Sequence, residues 1–266
     1  MISVVERDNE KRAMLEICRR SPFGCKIAGI ALAYGFDKRF SMFWMDSECE
    51  AVYSLVDGIM MITGTVRDAG EALSFIRFSG AEEISCALRN LEILGLNADE
   101  YGDILRKKTD GESEAFTGPQ DVPIREIYAL LEETGLIEVG EEDDEAFEAF
   151  YLDLSHRVRH GIACVITKRV EGTLAGCAVL SSVTGGTAIL SAVAVREQFR
   201  RQGMGTQLVE QVETILPGRT LYVYKETAEN NEFYRSLGFS KTDTWVQKAV
   251  VRRSTENGAE DVNRCS

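Results

Sequence analysis

Apolar and polar positions change period along the chain, and the changes mark its elements. IACVITKRV (162–170), TLAGCAVLSSV (173–183) and TAILSAVAV (187–195) are apolar and β-branched, separated by EG and TGG, which predicts an antiparallel meander. Helical spacing returns over MGTQLVEQVETIL (204–216), stops at Pro217-Gly218, and gives way to a strand, LYVYKE (221–226). A short helix over 229–238 and a last strand near 244–250 follow. Upstream, 124–135 places Ile124, Ile127, Tyr128, Leu130 and Leu131 on one helical face, with Gly135 as a stop. After an acidic run, 138–148, a second amphipathic stretch (146–160) ends in Arg157, Arg159 and His160, the charge order a helix dipole favours.

Helix, helix, three strands, helix, strand, helix, strand describes an α/β mixed sheet with helices on its faces. The passage from 187–195 through the helix to 221–226 is a parallel βαβ crossover. The first half carries a worn version of the same order. A charged helix (8–20) precedes three apolar segments, 27–35, 40–46 and 51–64, which are expected to form another meander. A helix (70–78), a strand (82–88) and a short helix (89–96) come next. NLEILGL in that last helix echoes EFYRSLGF near residue 232, which points to an internal duplication, with unrelated α/β packing as the alternative. The expected division is one unit over 1–118, a second over 119–250, and a polar, disordered tail over 251–266.

Composition narrows the function classes. At 266 residues with 44% hydrophobic and 27% charged residues, the chain suits globular domains and excludes fibrous or disordered classes. A formal charge of −13 repels a phosphate backbone or an anionic bilayer, so neither nucleic acid nor membrane is expected as a partner, whereas a cationic small molecule or peptide is attracted. The N-terminal MISVVERDNEKR has no apolar signal stretch, and 27–36 is only about half the length of a membrane span. Seven scattered cysteines without a CxxC pair suit a reducing, cytoplasmic setting. His156 and His160 are four apart but lack an HExxH context, so no metal is expected, and no GxSxG elbow is present.

The segment SAVAVREQFRRQGMGTQLVEQV (191–212) carries the chemistry: a buried strand, a basic glycine-containing turn, then an amphipathic helix. Gly203 and Gly205 leave room for an anion to approach the first-turn amides, and Arg200 and Arg201 add positive charge at the helix's positive end. Together they make a pyrophosphate cradle. A dinucleotide fingerprint is excluded because Gln207 and Leu208 stand near the place of the third glycine, and a P-loop is excluded because no Gly-Lys-Ser/Thr follows.

The pattern R-x-x-G-x-G after an apolar strand resembles the acyl-CoA-binding motif of the GNAT acetyltransferase superfamily. YKETAENNEFYRSLGF (224–239) is similar to the family's second marker. The resemblance covers about 120–250. It implies a GNAT fold there, a GNAT-like first half, and acetyl-CoA as co-substrate, with its pantetheine arm between diverging strands 187–195 and 221–226. Val193, Ala194 and Val195 would meet the arm, and Arg200, Arg201, Gln202, Gly203, Met204, Gly205 and Thr206 would hold the pyrophosphate. Asn230 or Asn231 would touch the CoA arm, and Tyr234 would serve as general acid toward the leaving thiolate.

The implied activity is N-acetyl transfer to a primary amine of a small molecule or peptide, by direct attack through a tetrahedral intermediate, in a monomer or homodimer. Two departures stand out. Strand 187–195 contains no acid, so Glu226 is the leading candidate base, with water at Ser191 as fallback; and Thr227 stands where relatives often have Asn. The missing acid keeps open a non-catalytic acyl-CoA sensor, and a longer acyl chain is a third reading. In the first half, 65–75 has one glycine, Gly70, beside Asp68 and Glu71, whose carboxylates would repel a pyrophosphate. That half is expected to bind no CoA and to shape the acceptor site.

Overall fold

One element order runs twice along the chain. The computed structural model describes residues 1–112, 116, 118, 121–137, 143–226 and 230–250. Thr227, residues 138–142 of the acidic run and the end 251–266 lie outside the described residues. After a short β1 (Ile2–Val4), the first pass comprises α1 (Asp8–Cys18), α2 (Pro22–Tyr34), β2 (Ser41–Asp46), β3 (Ala51–Val56), β4 (Ile59–Gly64), α3 (Ala69–Phe78), β5 (Glu83–Ala87), α4 (Leu88–Ile93) and β6 (Glu100–Lys108). The second comprises α5 (Ile124–Glu133), α6 (Asp143–Arg159), β7 (Cys164–Val170), β8 (Thr173–Val183), β9 (Thr187–Val195), a 3₁₀ turn (Glu197–Phe199), α7 (Met204–Ile215), β10 (Thr220–Lys225), α8 (Asn231–Ser236) and β11 (Ser240–Ala249).

All eleven strands join one mixed sheet in the order β1-β2-β3-β4-β5-β11-β6-β10-β9-β8-β7. The meanders are antiparallel, and β4–β5 and β9–β10 are parallel. At the centre the two halves exchange their last strands: β11 pairs with β5 of the first half, and β6 pairs with β10 of the second, all antiparallel. β11 and β6 then pair with each other, so the sheet is continuous.

Helices cover both faces. On one, α1 and α2 pack on Phe43, Met45 and Val52, while α5 and α6 pack on Val165, Cys177 and Val179. On the other, α3 and α4 bury Tyr53, Met60 and Ile84, and α7 and α8 bury Ala178, Leu190 and Leu221. None of the described helices is long and apolar enough to cross a membrane.

Three features depart from the sequence reading. The segment 27–35, expected as a strand, belongs to α2. Its ends carry clear signals: the Ser21 hydroxyl accepts from the Gly24 amide at 2.9 Å, Pro22 fills the first turn, and Gly35 follows at φ +83°. Ten of its thirteen residues are buried, so no polar stripe reveals the helical period. The segment 51–64 is two strands, β3 and β4, joined at Asp57 and Gly58, both at positive φ. Finally, β6 was not anticipated because its sequence, EYGDILRKK, is charged. Its buried Asp103 is answered by Lys241 at 2.6 Å and Lys225 at 3.9 Å.

The buried helix α2 reaches across to the second half. A Cβ at Gly29 would collide with the Ser182 hydroxyl, so glycine is what lets this helix lie on β8. Phe23 and Cys25 share a core with Ile104, Ile189 and Tyr222.

Candidate functional site

The site grows from the way β9 parts from its parallel neighbour. Only Thr187, Ala188 and Ile189 pair with β10, opposite Thr220, Leu221 and Tyr222. Beyond them β9 runs on to Val195 and β10 to Lys225 without pairing, leaving a wedge with an unpaired backbone edge on β9. The divergence begins at a double irregularity with β8. Leu190 pairs with Leu180 and Ala192 with Val179, leaving Ser191 over; Ile189 pairs with Ser182, leaving Ser181 over. The two left-over serines bond each other through their hydroxyls.

After β9, the chain makes the 3₁₀ turn and enters α7 through two residues in the left-handed region, Arg201 (φ +61°) and Gly203 (φ +76°). Gly203 is the N-cap and no side chain caps the helix, so its first-turn amides are left for another acceptor. Arg200 is steadied by donating Nε–H to the Val195 carbonyl at 2.9 Å. Gly205 meets α8 closely: a Cβ there would stand 3.3 Å from the Phe233 ring.

A cleft of about 1000 Å³ lies over this junction. It is lined by Val193, Ala194, Val195, Phe199, Arg200, Arg201, Gly203, Met204, Gly205 and Thr206 from β9 to α7, and by Asn230, Asn231, Glu232, Phe233 and Tyr234 around α8. Thr134, Gly135 and Leu136, just past α5, close its third side. An ion pair between Arg196 and Glu133, at 2.6 Å, ties that end of α5 to the end of β9.

Most residues singled out in the sequence therefore converge. Gln202 does not line the cleft; its amide turns back to the Gln198 carbonyl at 3.1 Å. Glu226 is also outside the lining, exposed just past β10, with its carbonyl taking a hydrogen bond from the Lys225 ammonium. Asn230 has φ +52° and begins α8. Tyr234 is buried, its ring edge-on to Phe233 and Phe239, and burial pushes its hydroxyl up to about 12. Residues 134–136 were missed; Gly135, at φ +72°, was their one signal and read only as a helix stop.

The matching place in the first half is built differently. There β4 and β5 stay paired from Ile59↔Glu83 to Ile62↔Cys86, which leaves no comparable wedge. Asp68 caps α3, accepting from the Glu71 amide at 2.9 Å. Glu71 in turn takes the Ile2 amide at 2.7 Å and the N-terminal ammonium at 3.2 Å. The α3 terminus is thus occupied by carboxylates and β1.

The histidines serve packing. His156 stacks on Tyr34 at 4.3 Å and shares a hydrogen with the Ala33 carbonyl at 2.8 Å, and His160 Nδ1 pairs with the His156 carbonyl at 2.8 Å. No cluster able to hold a metal occurs among the described residues.

Residues 124–239 match the acetyltransferase (GNAT) family. No curated protein matches the chain. Among solved structures, a GCN5-related N-acetyltransferase from Sphaerobacter thermophilus is 15% identical, with a TM-score of 0.56 over 93% of this chain and 95% of that one. A tandem GNAT protein from the clavulanic acid biosynthesis pathway is also 15% identical, with a TM-score of 0.56 over 93% and 97%. An acetyltransferase from the GNAT family of Colwellia psychrerythraea is 12% identical, with a TM-score of 0.52 over 93% and 98%. At these identities the likeness speaks for the fold, which extends over nearly the whole chain.

Proposed function

From the premise that residues 124–239 are a GNAT domain, we propose that the protein is an acetyl-CoA-dependent N-acetyltransferase acting on a primary amine of a small molecule or peptide. One observation carries this reading: the β9–β10 wedge, the uncapped α7 terminus and Tyr234 open onto a single cleft.

The residues present fit the co-substrate. The diphosphate would lie on the first-turn amides of α7 with Arg200 and Arg201 beside it, where helix dipole and guanidinium charge act together. The pantetheine amides would bond the free edge of β9 around Val193 and Val195, as an added strand does. Acetyl-CoA supplies an activated acyl group; the chain supplies position, an amide donor on β9 for the developing oxyanion, and a proton. Tyr234 suits the last task because burial keeps its hydroxyl protonated throughout the neutral range.

An alkylammonium acceptor, with a pKa near ~10.4, must lose a proton before it attacks. Glu226 follows directly on the diverging end of β10, and Ser191 is exposed on β9; we assign this step to Glu226, with water at Ser191 as the second route. The absence of an acid on β9 favours a non-catalytic sensor as the competing reading from another class.

Calorimetric titration with acetyl-CoA, followed by thiol release against a panel of primary amines, separates the two. Micromolar binding with acceptor-dependent release is expected. Binding without release would make the protein a sensor, and no binding would remove both readings.

A further inference from the structure

The side of the wedge covered by α2 holds an unmet electrostatic demand. Tyr224 lies two residues past Tyr222, where β10 has already left β9. Lys26, from α2 in the first half, sets its ammonium over the Tyr224 ring, 3.6 Å from the centroid, and Phe23 meets the same ring edge-on at 5.5 Å. Lys26 has no hydrogen-bond or ion-pair partner among the described residues. The Tyr224 hydroxyl is buried and has none either. Nearly all buried polar groups in proteins are satisfied, so the unmet Tyr224 hydroxyl beneath a half-buried, unpaired ammonium points to something that binds there.

The surroundings supply no anion that pairs with Lys26. From α2, the Cys25 thiol is engaged with Ser182 and Thr184. From β10, Tyr222 is a phenol in the core. From β11, Asp243 acts on Tyr224 as a repelling charge, and its Oδ1 accepts the Thr244 amide at 2.8 Å. Burial holds the Lys26 ammonium down to about 8, so near neutral pH it is still mostly charged and has no counter-ion. Lys26 is half-buried and Ser191, on β9, is exposed, so both keep contact with solvent.

We propose that Lys26 and Tyr224 form an anion-binding subsite on the acceptor side of the wedge, taking a carboxylate carried by the amine acceptor. This rests on the acetyltransferase reading above. The two donors border one aromatic ring, so a single carboxylate can accept from both, one bond being charge-assisted. The acceptor is then an amino acid or a related amino carboxylate, and the N-terminal half contributes the residue that selects it.

The test compares glycine, β-alanine and 4-aminobutyrate with their carboxamides, by thiol release from acetyl-CoA, in the native protein, Lys26→Met and Tyr224→Phe. At least one acid is expected to exceed its amide by about tenfold in kcat/KM, through KM, as loss of a hydrogen bond to a charged group implies. The preference should vanish in Lys26→Met and shrink in Tyr224→Phe, with acetyl-CoA affinity unchanged.

A second readout needs no turnover: the preferred acid should raise the melting temperature of the native protein and not that of Lys26→Met. Each substitution deletes an unpartnered polar group, so neither should unfold the chain. Equal use of acids and amides, or no melting shift with any of the three acids, overturns the subsite. A native protein that binds no acetyl-CoA overturns the acetyltransferase reading instead, and the melting comparison still decides for or against the subsite.

Discussion

Gly205 on α7 and Phe233 on α8 meet closely across the cleft: a Cβ at 205 would sit 3.3 Å from the ring, so even a methyl group requires the ring to give slightly. This contact sets where α8 begins and hence where Tyr234, the next residue, comes to lie. Gly205→Val is expected to cost about 1–3 kcal/mol by overpacking and to lower kcat more than Gly205→Ala does. Thermal melts and steady-state kinetics on the two variants check it.

Tyr234→Phe removes the proposed proton donor and leaves the ring's packing on Phe233 and Phe239. The expected result is a fall in kcat of about 10²-fold or more, with acetyl-CoA affinity within about twofold of native. Unchanged kcat would assign protonation of the thiolate to water.

Glu226→Gln and Ser191→Ala distinguish the two routes for the acceptor's proton. If the carboxylate is the base, the glutamine variant loses about 10²-fold in kcat/KM at neutral pH and recovers as pH approaches the acceptor's own pKa. If water at Ser191 serves, the alanine variant shows that behaviour instead. A pH–rate series on both proteins gives the answer.

Stability should fail on the alkaline side. Burial pushes Cys18, Cys86, Cys164 and Cys177 up to about 12 from 9.0, and Tyr234, together with Tyr34 beside Asp153, up to about 12 from 10.0. Each raised acid keeps its proton in the folded state while the unfolded chain ionises first. Their contribution is therefore whole below pH 9 and is lost as pH climbs toward 12. Lys26 acts in the opposite sense, its lowered pKa costing stability as pH falls from 10.5 through 8, but it is one group against six. The melting temperature is expected to be level from pH 7 to 8.5 and to drop steeply above 9, as a calorimetric pH series would reveal.

The exchange of β6 and β11 predicts that neither half folds alone. Separate chains covering 1–118 and 119–266 each lack a strand that the other half supplies. Each is expected to melt without a cooperative transition, and an equimolar mixture to regain one. Circular dichroism of the three samples tests this.

How far the fold was legible depends on how local its signals are. The β9–α7–β10 passage announced itself because alternation, basic turn, glycines and amphipathic helix are neighbours in sequence. For α2, burial on every side erased the period, although Ser21-Pro22 and Gly35 bracketed it. Strand β6 was hidden because it is charged, and its buried Asp103 and its Lys107 find their partners, Lys225, Lys241 and Glu213, more than a hundred residues away. The cleft's third side, Thr134 to Leu136, comes from a helix end that only tertiary packing brings there. Lys26 drew no notice, since nothing near it in sequence shows that Tyr224 lies beneath.

Synthesis from the N-terminus gives the exchanged strands a further meaning. Until residues 240–249 leave the ribosome, β5 ends in a bare edge with unpaired amides and carbonyls, the kind of template that recruits foreign strands. Completion of the first half must await the closing strand of the second, so the nascent chain passes through a long, adhesive adolescence. A holding chaperone would have its greatest effect on yield during that interval.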